Sequence, residues 1–296
     1  MEERHLNMKK VSGAILVFSL ALFIIIGSAL ITSNVSNNKN SNISKNVNNV
    51  NKEIIEEKIE KNYPLHTLEN VYKGILPQYN PDSIEQVKNI YKSNEKQIYL
   101  TFDDGPTKSI TPQILDILKE EQVTATFFVL GSRVELNPDI VKRAFEEGHY
   151  IANHGYSHTY SQIYASTQSV IDEYNSTEKA IQEAIGFSDY HSYLFRFPGG
   201  SSGGKYNDLK AEAKQVLANS GVVSTNWNCL SGDAEGQEKT EEELLARLYE
   251  SQGDKTSLII LMHDASDKQV TVNILKQVIQ KYKSEGYVFK NFYEIF

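Results

Sequence analysis

Two adjacent carboxylates, Asp103 and Asp104, follow an apolar run and precede Gly105 and Pro106. Residues 97–102 are typical of a buried β-strand, in which neighbouring side chains point to opposite faces. Both acids can therefore reach one site only where the pleat breaks into a turn, which Gly105 and Pro106 supply. Two negative charges this close repel each other. A cation that binds one acid relieves the repulsion and leaves the other acid free as a base, as in a hydrolytic metal site. The alternative is an ordinary turn that caps the next helix.

Two histidines, His154 and His158, are spaced four residues apart in the stretch NHGYSH. This spacing predicts one face of a helical turn, from which both imidazoles can bind one cation. With Asp104 they offer two nitrogens and one oxygen, the ligand set of a catalytic zinc site with one position open. Zinc is the first choice of metal, and cobalt, nickel or ferrous iron would fit the same ligands. The alternative is a pair of polar loop histidines.

Four further residues have types suited to orienting or transferring charge. Arg196 can pair with Asp103 and keep that carboxylate ionised and oriented as a base. Gly199, in the turn that follows, can offer its backbone N–H to an oxyanion. His263 ends an apolar run and can protonate a leaving amine, while Asp233 can hold and tune it. The alternative for Arg196 is a surface ion pair beside a glycine turn. The alternative for His263 is a core histidine, and that for Asp233 is a loop turn.

Short apolar strands alternate with helical segments from Gln97 onward, which is typical of a parallel α/β fold. The predicted strands are 97–102, 124–130, 149–153, 193–197, 222–226 and 257–262, and 287–289 closes the series. About seven strand–helix units predict a closed or nearly closed parallel barrel, in which functional residues gather where the strands end. The candidate residues named above follow these strands, and this regularity favours one shared site over independent surface positions.

The composition narrows the possible classes of function. At 296 residues, the chain has room for one large domain and an appendage. A net charge of -8 argues against nucleic-acid binding, which usually requires a basic face. Cys229 is the single cysteine, so an intrachain disulfide and a multi-cysteine zinc site are both excluded. Packing must therefore stabilise the fold unaided.

The N-terminal part of the chain predicts attachment to a membrane. Residues 1–32 contain basic residues and then an apolar run long enough to cross a bilayer, with the N-terminus in the cytoplasm. Residues 33–52 are rich in Asn and Ser and predict a flexible tether. Residues 53–95 are expected to form a helical stalk or a segment at the base of the catalytic domain, 96–296. We expect a single-pass membrane protein with an extracellular catalytic domain; the alternative is secretion after signal cleavage.

Five stretches occur in a fixed order along the chain. They are TFDDGP at 101–106, HGYSH at 154–158, RFPGG at 196–200, WNCLSGDAEG at 227–236 and LIILMH at 258–263. Together they resemble the motifs of the NodB-type polysaccharide deacetylases, carbohydrate esterase family four, over residues 97–296. The resemblance implies a distorted barrel of parallel strands. It also implies roles: Asp103 as base, Asp104, His154 and His158 as metal ligands, Arg196 as the residue that orients Asp103, His263 as general acid, Asp233 as the residue that tunes it, and Gly199 as oxyanion donor.

The resemblance implies metal-dependent N-deacetylation of polymers that contain GlcNAc. A tether outside the membrane would bring the domain to the cell wall, so peptidoglycan is the expected substrate; chitin-like polymers, exopolysaccharide and MurNAc units are alternatives. The rival class is a non-catalytic wall-binding relative, which would be expected to have lost a metal or proton-transfer residue. A zinc peptidase would need the HExxH motif, which is absent from the sequence. Two positions depart from the family pattern: Ala234 replaces a common Trp, and Gly155 replaces a commoner Ser or Thr.

Overall fold

The computed structural model describes residues 76–296. The predicted membrane helix at 1–32, the tether at 33–52 and the first part of segment 53–95 lie outside the described residues. Between residues 76 and 296, no helix combines the length and the apolar character needed to cross a bilayer. All eight predicted site residues lie inside the described part of the chain.

In the described part of the chain, eight strands form one curled sheet around the central strand β1. The strands are β1 (Gln97–Asp103), β2 (Thr126–Val129), β3 (Tyr150–Asn153), β4 (Leu194–Phe195), β5 (Val223–Ser224), β6 (Cys229–Leu230), β7 (Ser257–His263) and β8 (Val288–Lys290). Seven of them lie side by side in the order β5-β4-β3-β2-β1-β7-β6. Every neighbouring pair is parallel, so the predicted parallel α/β fold is confirmed.

Nine α-helices lie within residues 76–296, and two of them begin at a residue whose side chain caps the helix. They are α1 (Ser83–Ile90), α2 (Thr111–Glu120), α3 (Gly131–Leu136), α4 (Pro138–Glu146), α5 (Tyr160–Ile163), α6 (Thr167–Ile185), α7 (Asn207–Asn219), α8 (Glu241–Gln252) and α9 (Gln269–Ser284), with a 3-10 turn at Phe292–Glu294. The long helix α6 begins where the Ser166 side chain accepts a backbone N–H, and it ends at left-handed Gly186. Thr240 and Glu243 form a reciprocal capping box at the start of α8.

Strand β1 has neighbours along both of its edges. β7 pairs with it from end to end, in a register that sets Asp103 opposite His263. On the other edge, β2 pairs with the last three residues of β1 and β8 pairs with the first three. The strand predicted at 287–289 is found at Val288–Lys290. It covers the start of β1 and is not part of the seven-strand path.

The two edge strands of the curled sheet, β5 and β6, follow each other in the chain. Only residues 225–228 connect them. A link of this length spans at most about 18 Å. Among the described residues no strand pairing joins β5 to β6, so the barrel is open along one seam. The prediction of a strand at 222–226 followed by Asp233 is wrong in detail. Asp233 follows the unpredicted strand β6, whose two residues are too few to show apolar alternation.

The two faces of β1 differ in chemistry. Its residues at 98, 100 and 102 pack against the helices in the larger apolar core. Tyr99, Thr101 and Asp103 alternate with them, so they face the concave side of the sheet. Tyr99 packs there with Val87 and Ile90 of α1 in a second apolar core. The concave side is therefore apolar near Tyr99 and becomes polar where β1 ends.

Candidate active site

The three predicted metal ligands converge at the C-terminal ends of β1 and β3. Asp104 Oδ1 lies 3.3 Å from His158 Nε2 and 3.5 Å from His154 Nε2, and the three ligand atoms lie within 4.8 Å of one another. Two ligands about 2.1 Å from one tetrahedral ion lie about 3.4 Å apart. Asp104 Oδ1 is buried and has no hydrogen-bond partner among the described residues. The donor set and its spacing therefore fit a single divalent cation.

A left-handed residue at the end of β1 turns the two acids toward one site. Asp104 has a φ of 76°, a conformation that Asp adopts more readily than most non-glycine residues. The pleat therefore breaks at Asp104 itself, one residue before the Gly105 and Pro106 that the sequence indicated. Gly105 is required for a different reason, because a Cβ at that position would lie 1.9 Å from Asp264 Oδ2.

The two ligand histidines lie on an irregular loop, residues 154–159, so the predicted helical turn is wrong. Positive φ angles at Gly155 and His158 reverse the chain and bring the imidazoles together. A spacing of four residues is compatible with this reversal as well as with a helical turn. His154 Nδ1 lies 2.7 Å from the carbonyl oxygen of Arg196, so its proton is donated there and Nε2 is free for a cation. Burial lowers the pKa of His154, which favours the neutral ring that metal binding requires.

Glu173 on α6 holds the backbone between the two histidines, and sequence reasoning missed it. Its Oε2 accepts hydrogen bonds from the N–H groups of Tyr156 at 2.9 Å and Ser157 at 3.0 Å. The Ser157 hydroxyl donates to the same carboxylate. Partners that fix the loop beside a ligand also orient the ligand. In the sequence, Glu173 is one of several acids on an amphipathic helix, and no local signal distinguishes it.

Asp103 lies beside the metal ligands without joining them. Its Oδ1 accepts a hydrogen bond from Arg196 Nη1 at 2.7 Å, and its Oδ2 is 3.7 Å from His154 Nε2. Arg196 is fully buried and also donates to Thr101 Oγ1 at 2.7 Å and to the carbonyl oxygen of Asn226 at 3.1 Å. The buried Arg196 guanidinium therefore orients Asp103 and leaves one carboxylate oxygen directed at the site.

His263 is held by Asp233 at the end of the neighbouring strand. Its Nδ1 donates to Asp233 Oδ1 at 2.8 Å, while Asp233 Oδ2 accepts from the His263 backbone N–H and the Thr271 hydroxyl, both at 2.8 Å. Burial by itself would lower the pKa of His263. The hydrogen bond and the negative charge of Asp233 outweigh burial and raise this pKa to about 9. His263 is therefore protonated at neutral pH, and no group within residues 76–296 hydrogen-bonds its Nε2–H.

Gly199 lies in the turn after β4 with a φ of 71°, a conformation that favours glycine. A Cβ at this position would also lie 2.3 Å from the Tyr160 hydroxyl, so no side chain fits there. Gly199 is therefore adjacent to the loop that carries His158. Its role as an oxyanion donor stays a prediction.

Comparison with known proteins places the chain in a family. The sequence model of the family described as Polysaccharide deacetylase matches residues 91–221. A peptidoglycan-N-acetylglucosamine deacetylase of Bacillus cereus is 32% identical over 205 residues, which are 67% of this chain and 86% of that protein. This chain belongs to the polysaccharide deacetylase family.

Other members of the deacetylase family are similar in fold and sequence. A solved CE4 esterase of Streptococcus mutans superposes with a TM-score of 0.64 at 35% identity, covering 70% of this chain and 90% of that one. The peptidoglycan-N-acetylglucosamine deacetylase PgdA of Listeria monocytogenes is 34% identical over 229 residues. These residues are 77% of this chain and 45% of the Listeria protein, so the chain spans about half the length of that relative.

The two departures from the deacetylase pattern lie next to the site and leave its ligands intact. Gly155 has a φ of 81°, and a Cβ there would lie 2.9 Å from Ile163 Cδ1, so this position favours glycine. Ala234 lines a cavity of about 290 Å³ together with Asp233 and Thr271. The small side chain of Ala234 leaves this space open beside the residue that supports His263.

Proposed function

We propose that this chain is a metal-dependent N-deacetylase that acts on GlcNAc residues of peptidoglycan and releases acetate. The observation that carries the proposal is that one cation site has two proton-transfer groups beside it. One is a carboxylate held by a cation, and the other is an imidazole held by a carboxylate. Arg196 holds Asp103 as a free base, and Asp233 holds His263 as a free acid. Amide hydrolysis needs both groups, because water must lose a proton and the departing amine must gain one.

Asp104, His154 and His158 would hold the cation. Zinc is the proposed metal because two imidazole nitrogens and one carboxylate oxygen with an open position are a catalytic zinc set, although cobalt, nickel and ferrous iron accept the same donors. When bound, such an ion polarises the acetamide carbonyl and makes water more acidic. Metal analysis of the purified protein tests this assignment, and an equimolar content of a metal other than zinc would overturn the choice of zinc alone.

The protein side chains then account for each proton. The free oxygen of Asp103 takes a proton from the attacking water while the new C–O bond forms at the acetamide carbon. The Gly199 N–H donates a hydrogen bond to the oxygen on which negative charge develops. His263 gives its Nε2 proton to the sugar nitrogen as the C–N bond breaks, which leaves acetate and a free amine. Arg196 holds the other oxygen of Asp103 in place throughout.

Peptidoglycan is proposed as the substrate for two reasons. Relatives from Listeria monocytogenes and Bacillus cereus that are named peptidoglycan-N-acetylglucosamine deacetylases match this chain at 34% and 32% identity. The apolar run within residues 1–32 and the polar stretch at 33–52 support a membrane anchor and a tether, which would keep the catalytic domain outside the cell beside the wall.

Release of acetate from purified peptidoglycan tests the proposal. The full chain is treated with a chelator and then with zinc, and we expect the chelator to abolish acetate release and zinc to restore it. Chitin oligomers and a GlcNAc exopolysaccharide are assayed in parallel, and faster release from either would replace peptidoglycan as the substrate. No acetate from any polymer after metal is restored would overturn the enzyme proposal and favour a wall-binding relative.

A further inference from the structure

Tyr160 connects the loop of a metal ligand with the loop of the predicted oxyanion donor. It begins α5, two residues after His158, and its ring centroid is 5.8 Å from that of His158. The ring packs edge-on against Tyr164 at 5.6 Å, and the Tyr164 hydroxyl donates to the carbonyl oxygen of Pro198 at 2.7 Å. Tyr160 therefore has a fixed ring position between the two loops.

The hydroxyl of Tyr160 is directed at Gly199. It occupies the space of a side chain at that position, because a Cβ on Gly199 would lie 2.3 Å from the Tyr160 oxygen. Tyr160 is nevertheless 42% exposed. The hydroxyl of Tyr164 is committed to Pro198, whereas no group in the described part of the chain hydrogen-bonds the hydroxyl of Tyr160. An O–H donor thus lies free, open to a ligand, against the turn that carries the Gly199 N–H.

A hydrogen-bond donor at this place has a chemical use. In amide hydrolysis, negative charge develops on the acetamide oxygen, and donors that already point at this oxygen stabilise the transition state. We propose that Tyr160 is a further catalytic residue, whose hydroxyl donates a hydrogen bond to the acetamide oxygen alongside the Gly199 N–H. The proton stays on the phenol throughout, so no bond to Tyr160 forms or breaks. This inference rests on the proposed deacetylase function.

Tyr160→Phe tests the proposal because it keeps the ring and removes only the hydroxyl. We expect kcat and kcat/KM to fall together by about ten- to a hundredfold, with KM and zinc content unchanged, since the lost interaction exists only in the transition state. Tyr206→Phe is the matched control. The Tyr206 ring packs on Tyr164 at 5.1 Å, one ring further from His158, and its loss of a hydroxyl should not change kcat.

Each other outcome identifies a different error. Equal kcat for the wild type and Tyr160→Phe would overturn the inference while leaving the deacetylase function intact. A raised KM with unchanged kcat would overturn it in favour of a hydroxyl that binds the sugar in the ground state. A similar loss in Tyr206→Phe, or a loss of zinc, would assign the effect to packing. A wild type without acetate release would overturn the function and the inference together. Tyr160→Met provides a second hydroxyl-free variant if the Phe variant does not fold.

Discussion

The Asp103–Arg196 pair and the Asp233–His263 pair each join a carboxylate to a cationic side chain. The group proposed to transfer a proton is the carboxylate in the first pair and the cation in the second. In the first pair the cation is the support, because Arg196 is fully buried and the free oxygen of Asp103 faces the metal ligands. In the second pair the carboxylate is the support, because the Asp233 side chain is 4% exposed and that of His263 is 13% exposed. In each pair, the proposed proton-transfer group is therefore the one that has an atom outside the pair: Oδ2 of Asp103 in the first and Nε2 of His263 in the second.

The two pairs also differ in their response to pH. Arginine stays protonated throughout the range in which a protein is folded, so Asp103 always has its cation. His263 can lose its proton, with a pKa raised to about 9. Alkaline pH should therefore disable the acid and leave the base intact.

Asp103→Asn breaks the first pair and is expected to have the largest effect. Loss of general base help lowers the rate by about a hundredfold to ten-thousandfold. The ligands Asp104, His154 and His158 are unchanged, so metal content should equal that of the wild type. Acetate release and elemental analysis measure the two quantities. Asp254→Asn, at an exposed position, is the control and should change neither. Near-normal acetate release by Asp103→Asn would contradict the role of this residue.

Arg196→Lys keeps the positive charge of the first pair and removes the planar guanidinium. It therefore separates the effect of charge from the effect of hydrogen-bond geometry. A lysine that reaches Asp103 leaves the carbonyl oxygen of Asn226 and the Thr101 hydroxyl without their donor. Hydrogen bonds from a charged donor contribute about 1.5–3 kcal/mol, so we expect a lower thermal unfolding midpoint when these two are lost. We also expect kcat to fall, by about tenfold, because the base is less well oriented.

The control for this variant is Arg143→Lys, on a half-buried surface pair with Asp116 and Glu147. Surface ion pairs contribute about 0–1 kcal/mol, so its unfolding midpoint should change little. An Arg196→Lys enzyme as stable and as active as the wild type would show that charge alone orients Asp103.

Asp233→Asn breaks the second pair and should move the alkaline limit of activity. Asp233 raises the pKa of His263 to about 9, so its neutral replacement should let this pKa fall toward the ordinary histidine value of about 6.5. In the proposed mechanism protonated His263 is the active form, so activity is present below its pKa and is lost as the pH rises through it. The alkaline limb of the kcat profile should therefore move to lower pH, with a loss of up to about thirtyfold near pH 8.

Asp267→Asn is the control for this shift, because Asp267 is largely exposed and pairs with Lys268. Its profile should coincide with that of the wild type. An unchanged alkaline limb in Asp233→Asn would show that another group is the acid.

Glu173 holds the loop between His154 and His158 through backbone N–H groups. Glu173→Ala should therefore have the smallest effect on turnover. Loss of an outer partner typically weakens metal binding by about 10–100-fold. Competition with a chelator measures this change, whereas kcat at saturating zinc should remain close to that of the wild type. Asp172→Ala, the exposed neighbour on the same helix, should bind zinc normally. Equal zinc affinity in both variants would remove Glu173 from the site.

Much of the fold was predictable because its signals are local. β1 and β7 are long apolar runs, and the structure finds them within a residue of the predicted bounds. β6 escaped prediction because it has two residues and is a strand only through its pairing with β7. The loop at 154–159 escaped because a four-residue spacing is satisfied equally by a helix and by a chain reversal.

The available chemical groups, and the approximate ends of the strands that carry them, can be read from short stretches of the sequence. Side-chain type and apolar period are properties of short segments, and eight candidate residues followed from them. Only the tertiary structure decided which groups meet: Arg196 reaches Asp103 across 93 positions of sequence, and Asp233 reaches His263 across 30. Glu173 and Tyr160 acquire their places from the folds of other segments. Contacts between distant segments depend on how the sheet curls, and no local pattern records that curvature.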